Sequence, residues 1–215
     1  MELKNKKIAF LGDSITEGAG VQTPDSVYWR QIATNTGAQC YGYGVCGSRI
    51  VPQCPNKDDD KSFGSRVGQM IPDADVVVVF GGTNDFDHGY AAIGTIKDRT
   101  NETFYGACYC LIMRLIDRYP GACIVMMTPL HRESEEELSN NDPGGRRCGT
   151  LFAYAQAIRE VAELFGVPIV DLFHNCTIQP RIPALKEKYM PDGLHPNDAG
   201  HVLITKCLLS VLEQL

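Results

Sequence analysis

No stretch of this 215-residue sequence is apolar over anything near the 18 or more residues that a membrane span requires; the longest near-continuous run, Val76 to Phe80, has the length of a buried strand. Excess positive charge is absent as well. With 20 Lys and Arg against 26 Asp and Glu, the formal charge is −6, which lacks the basic footprint that phosphate backbones and anionic lipid surfaces demand, so no nucleic-acid partner and no integral membrane association is expected. Nine cysteines form no Cys-x-x-Cys pair. An odd count in a long chain, with no secretory segment ahead of Ile8–Leu11, argues for reduced thiols and a cytoplasmic location. The close pair Cys108-Tyr109-Cys110 falls in a helical pattern, where cysteine serves as a small apolar filler. Two nucleotide signatures are missing: there is no Gly-x-x-x-x-Gly-Lys-Ser/Thr loop, and the turn after the first strand is not Gly-x-Gly-x-x-Gly. No cofactor and no bound metal is required.

What is present is an ordinary globular composition, 44% hydrophobic and 21% charged. The length suits one domain spanning residues 1–215, with enough core to fold without staples. Ile8–Leu11, Gln39–Val45, Asp75–Phe80, Cys123–Thr128 and Val167–Phe173 are brief, rich in β-branched or aromatic residues and bounded by Gly, Pro or Asp, which predicts five strands. Between them Phe104, Ala107, Cys108, Leu111, Ile112 and Leu115 recur at helical spacing, as do Leu151, Tyr154, Ala155, Ile158, Ala162 and Phe165 up to Gly166. A last helix carries Ile204, Cys207, Leu208, Val211 and Leu212, with Asn197 or Asp198 as its cap. Strands that are apolar on consecutive positions and alternate with helices specify an α/β fold, a parallel sheet covered on both faces. Two polar stretches, Pro52–Ser62 with Asp58-Asp59-Asp60 and His131–Gly149 with Glu135-Glu136-Glu137, are expected to be surface loops, the second a solvated insertion or, since it follows the fourth strand at its carboxyl end, a lid over the site.

In such sheets the functional crevice lies beyond the carboxyl ends of the strands. After the first strand comes Gly12-Asp13-Ser14-Ile15, with a serine hydroxyl directed at the crevice unless Ser14 only caps the next helix. After the third comes Gly81-Gly82-Thr83-Asn84-Asp85, where the Asn84 amide can donate to an oxyanion. After the second, Gly42 to Ser48 is a glycine-rich turn able to aim a backbone N–H at the same point. Ahead of the last helix, Asp192-Gly193-Leu194-His195 sets a carboxylate three positions from an imidazole, the spacing that can fix the histidine tautomer and leave its other nitrogen to take a serine proton.

Those four segments, in that order, resemble the blocks of the SGNH hydrolases, the GDSL-type lipase/esterase family: Gly12-Asp13-Ser14, then Gly47, then Gly82-x-Asn84-Asp85, then Asp192-x-x-His195. The resemblance implies a flavodoxin-like three-layer sandwich with strand order 2-1-3-4-5. It also implies Ser14 as nucleophile, His195 as general base, Asp192 as its orienting partner, and an oxyanion hole from Ser14 N–H, Gly47 N–H and the Asn84 amide. Two positions depart from the family's second block, Gly42 where asparagine is usual and Cys46 where serine is.

The expected activity is hydrolysis of a small-molecule acyl ester, short-chain and of the acetylated-sugar kind, through an acyl-enzyme on Ser14. The alternatives are a lysophospholipase or thioesterase type of acylhydrolase, and a non-catalytic carbohydrate-binding protein on the same fold. A metal-dependent hydrolase using Asp13, Asp85, Asp192 and His195 around magnesium or manganese is a further rival. Phe86, His88 and Tyr90 after the third strand, and Tyr28 and Trp29 after the nucleophile turn, are candidate walls for substrate, more in keeping with packing. His88 and His131 stand at strand-end loops without the adjacent carboxylate that marks His195, and His174 and His201 carry no functional expectation. The sequence leaves homo-oligomerisation open.

Overall fold

Four valines and a phenylalanine in a row, Val76–Phe80, are buried on both faces, which only the middle of a covered parallel sheet allows. The computed structural model describes residues 2–54, 60–135 and 149–215. Its elements run β1 (Lys7–Gly12), α1 (Ser14–Glu17), α2 (Tyr28–Thr36), β2 (Gln39–Gly44), α3 (Phe63–Arg66), β3 (Val76–Phe80), α4 (Thr83–His88), α5 (Phe104–Arg118), β4 (Cys123–Met127), α6 (Leu151–Phe165), β5 (Ile169–Val170), α7 (Leu172–Asn175), α8 (Pro183–Tyr189) and α9 (Asp198–Leu212). All strand pairs are parallel and the order is β2-β1-β3-β4-β5, the arrangement the family resemblance implies.

Side chains alternate across the sheet and fill two cores. Ala9, Leu11, Val77, Val79, Ile124 and Met126 meet α3, α5 and α6 on one face. Ile8, Phe10, Val76, Val78, Val125 and Met127 meet α2 and α9 on the other. The long helices begin on side-chain caps: Thr103 accepts from Gly106 N, Thr150 from Ala153 N, and of the two residues expected to cap the last helix, Asn197 rather than Asp198 accepts from Gly200 N. Each such cap contributes about 1 kcal/mol. The helix α6 closes at Gly166, whose φ of 64° is the left-handed conformation that glycine adopts without penalty.

The fifth strand is shorter than the apolar run Val167–Phe173 suggests. It stops at Val170 because Asp171 turns the chain: its carboxylate accepts the His174 N–H that starts α7 and pairs with Arg159. Of the two expected loops, Asp58 and Asp59 lie outside the described residues, as do Glu136, Glu137 and the Pro143-Gly144-Gly145 segment of the suggested lid. Asp60 is described, and its carboxylate accepts from Gln53 N, Ser62 N and the Ser62 hydroxyl.

Candidate active site

The nucleophile turn is tight because β1 ends in glycine. A Cβ on Gly12 would come within 2.0 Å of Thr16 Oγ1, so only glycine lets α1 fold back directly on the strand. The residue that caps α1 is Asp13, whose Oδ1 accepts from Ile15 N at 3.0 Å. Ser14 is therefore the first residue of the helix and not its cap. Its hydroxyl is left for His195, whose Nε2 lies 3.1 Å from Ser14 Oγ.

The histidine is held in turn by Asp192. One carboxylate oxygen accepts the backbone N–H groups of Leu194 (2.8 Å) and His195 (2.7 Å), and the other stands 2.7 Å from His195 Nδ1. An ionised carboxylate only accepts, so Nδ1 carries the ring proton and Nε2 presents its lone pair to Ser14. Burial alone would raise the Asp192 carboxyl, but the three hydrogen bonds and the neighbouring imidazole hold it below its ordinary value. The turn is anchored from β4's side: Glu133 N donates to Gly193 O at 2.8 Å, and the Glu133 carboxylate pairs with Lys186. Gly193 has φ 77°, and a Cβ there would also meet Glu133 Oε2 at 2.6 Å.

In the loop after β2, Gly47 sits in the left-handed region at φ 70°, and the space where a Cβ would stand is open. Asn84, in the first turn of α4, is buried and donates one amide hydrogen to Ser48 O at 3.1 Å, which fixes the side chain and leaves the second hydrogen. Among the described residues, neither Ser14 N–H nor Gly47 N–H donates to any group. Of the two departures in the second block, the one at Gly42 has a local cause, and nothing in the structure explains the one at Cys46. A Cβ at Gly42 would fall 2.5 Å from the Trp29 ring, whose Nε1 donates to Thr16 O, so the indole occupies the space of a side chain. At Cys46 the backbone N–H is held by the Glu17 carboxylate at 2.6 Å, with the thiol exposed.

Two buried carboxylates and one buried guanidinium underlie this edge. Asp85 accepts Ile50 N and Val51 N, both at 2.9 Å, pinning the strand-two loop to α4. Burial raises its carboxyl to about 6. Burial raises that of Asp13 to about 7, with the Asp85 charge adding to the effect and the Ile15 N–H and Arg66 opposing it. A carboxyl whose folded value exceeds its unfolded one contributes most to the fold below the unfolded value, here 3.8, and loses that contribution as pH rises to about 7. The difference corresponds to roughly 4 kcal/mol. Asp13→Asn keeps an acceptor for Ile15 N–H but cannot ionise. Between pH 4 and pH 8 its stability relative to the parent is therefore expected to improve by several kcal/mol in urea unfolding, whereas a difference independent of pH would contradict the assignment.

The expectation that His88 and His131 lack a neighbouring carboxylate is corrected. His131 does have a carboxylate partner, with Nδ1 2.7 Å from Glu135 Oε2, and His88 Nε2 lies 3.2 Å from Asp87. The His131-x-x-x-Glu135 spacing was the available signal, hidden in what reads as a solvated acidic run. Tyr28 is core, its ring edge-on to Phe10 and Phe80 and its hydroxyl on Thr16, and Phe86 is core as well. His201 is buried against Tyr28, accepting its N–H, and His174 joins Asp171. Arg66, which no motif singles out, donates to Gly12 O, Tyr43 O, Lys61 O and the Ser48 hydroxyl. Asp13 and Asp85 spend carboxylate oxygens on backbone N–H groups, and no cluster of three His, Cys, Asp or Glu side chains suited to a metal forms among the described residues.

With this arrangement in view, residues 10–203 match the family model described as GDSL-like Lipase/Acylhydrolase family. The chain belongs to that family. It is similar to a solved structure from Lactobacillus plantarum, at 29% identity and TM-score 0.84 over 98% of each chain. It also has the fold of the lipase/acylhydrolase from Enterococcus faecalis (21% identity, TM-score 0.66, 97% of this chain and 96% of that one) and of an acetyl xylan esterase (21%, 0.65, 95% and 98%). The comparison with curated proteins gives no match. Among the described residues, no helix is long and apolar enough to cross a membrane.

Proposed function

We propose that this member of the family is a serine esterase acting on short-chain acyl esters, with acetylated sugars as the favoured substrate class. The observation that carries the reading is the unbroken relay from Asp192 through His195 to Ser14 Oγ, beside two backbone N–H groups with no partner among the described residues. Ser14 Oγ attacks the acyl carbonyl while its proton passes to His195 Nε2, and Asp192 stabilises the imidazolium. The carbonyl oxygen, now negative, is received by Ser14 N–H, Gly47 N–H and the Asn84 amide. His195 returns the proton to the departing alcohol oxygen, leaving the acyl group on Ser14. Water, giving its proton to His195, then attacks the acyl-enzyme; the acid departs and Ser14 recovers its proton.

The fold shared with an acetyl xylan esterase supports the small-ester class, and the eight described cysteines, all unpaired, support a reducing compartment. Hydrolysis of p-nitrophenyl esters from acetate to decanoate tests the reading. Turnover strongest on acetate is expected, and a preference for long chains would move the protein to the lysophospholipase or thioesterase class. Asn84→Ala is expected to lower kcat on the acetate about 10²–10³-fold, the usual cost of one oxyanion donor. A loss under tenfold would remove Asn84 from the hole.

A further inference from the structure

Of the three donors proposed for the oxyanion hole, Asn84 is fixed by its bond to Ser48 O and Ser14 by its helix, whereas Gly47 stands in a turn. Val45 to Ser48 form that turn, closed by Ser48 N, which donates to Val45 O at 3.1 Å. The angle φ is positive at Gly47, at 70°, and not at Cys46, which makes this a type II turn with glycine at its third position. The Gly47 N–H takes no part in closing it and donates to no group among the described residues. Glycine resists backbone rotation less than any other residue, so the place of this N–H depends on what holds the turn from outside.

Two side chains hold it, one on each side of the peptide that carries the Gly47 N–H. On the near side Glu17 accepts from Cys46 N at 2.6 Å, a short bond of the kind an ionised acceptor makes. Glu17 ends α1, the helix that Ser14 begins, so this bond ties the turn directly to the nucleophile's own helix. On the far side Gln53 folds back over the turn: its Nε2 donates to Gly47 O at 3.1 Å and its Oε1 accepts from Arg49 N at 3.2 Å. An amide can donate to a carbonyl and accept from an N–H at once, which an ionised carboxylate cannot do. Gln53 is anchored in turn, its own N–H donating to the Asp60 carboxylate at 3.0 Å. With the peptides before and after it held, the peptide between them cannot shift or tilt with the loop. A donor gives its full effect only when kept within about 0.5 Å of its working position.

We infer that Glu17 and Gln53 are positioning residues for ester hydrolysis, gripping the turn on either side of the Gly47 N–H and holding that donor in register with Ser14. The inference rests on the esterase reading above, with Gly47 in the oxyanion hole. Its test is kcat and KM on p-nitrophenyl acetate, with active protein counted by fluorophosphonate labelling of Ser14, and the Ki of trifluoroacetone, whose carbonyl takes Ser14 Oγ and leaves a negative oxygen in the hole. Gln53→Glu keeps the length of the side chain and the acceptor for Arg49 N but offers Gly47 O no hydrogen. It is expected to lower kcat about tenfold, as Gln53→Ala does, with KM within about twofold of the parent and Ki raised by about the factor that kcat falls. Glu17→Ala is expected to cost about as much, whereas Glu17→Gln, which still accepts from Cys46 N, restores kcat to within about threefold of the parent. A general loosening of the fold would lower the count of labelled protein and leave kcat per labelled Ser14 as it was. Gln53→Glu or Glu17→Ala within about threefold of the parent, Glu17→Gln as poor as Glu17→Ala, or a fall in kcat that Ki does not follow would overturn the clamp, while Ser14-dependent turnover by the wild type kept the esterase reading intact. A wild type that hydrolyses no ester would overturn that reading and the clamp with it.

Discussion

Replacing Ser14 by alanine is expected to lower kcat on p-nitrophenyl acetate by at least about 10⁴-fold, with the fold unchanged by circular dichroism. The side chain is nearly buried and its only hydrogen-bond partner among the described residues is His195, since Asp13 rather than Ser14 caps α1. Removal of the hydroxyl therefore takes away the attacking atom and leaves the helix start as it was. His195→Ala should cost about as much, and the double variant little more than either, because nucleophile and base act as one unit. Residual activity within tenfold of the parent would mean that the chemistry runs elsewhere.

The largest stability effect is expected at Arg66. Its guanidinium is buried beneath the site, where burial pulls it down to about 10, and it closes β1 to β2 and to the oxyanion loop. Nη1 donates to Tyr43 O at 2.6 Å, Nη2 to Gly12 O and the Ser48 hydroxyl at 2.9 and 3.0 Å, and Nε to Lys61 O at 3.0 Å. Methionine fills much of the same volume but donates nothing, so the buried acceptors lose their partner. The loss of one charged partner from such a network costs about 3–5 kcal/mol, read as a lower urea midpoint at unchanged slope. A change under about 1 kcal/mol would show that water replaces the guanidinium at those carbonyls.

The strands, the start of the last helix and the sites after each strand were legible because they depend on local pattern: the valines of β3, Asn197 ahead of α9, Gly166 after α6. Asp192 and His195 were legible as a pair because they are three residues apart and bond within one turn. The shortening of β5 was not, since it hangs on Asp171 meeting Arg159 from a different helix. Arg66 and the role of Asp85 in pinning the strand-two loop escaped for the same reason: apart from Lys61, which also accepts from Arg66, their partners are 18 to 54 and 34 to 35 positions away. Trp29 shows the converse. A glycine at position 42 departs from the family pattern on paper, and only the packed structure reveals the indole that takes up the space.

The most direct test of the central claim is covalent labelling with a fluorophosphonate, followed by mass spectrometry of the proteolytic peptides. The relay through Asp192 and His195 requires a single adduct on Ser14, formed in wild type and absent from Ser14→Ala and His195→Ala. An unlabelled protein that hydrolyses esters and loses that activity reversibly to EDTA would contradict the serine mechanism.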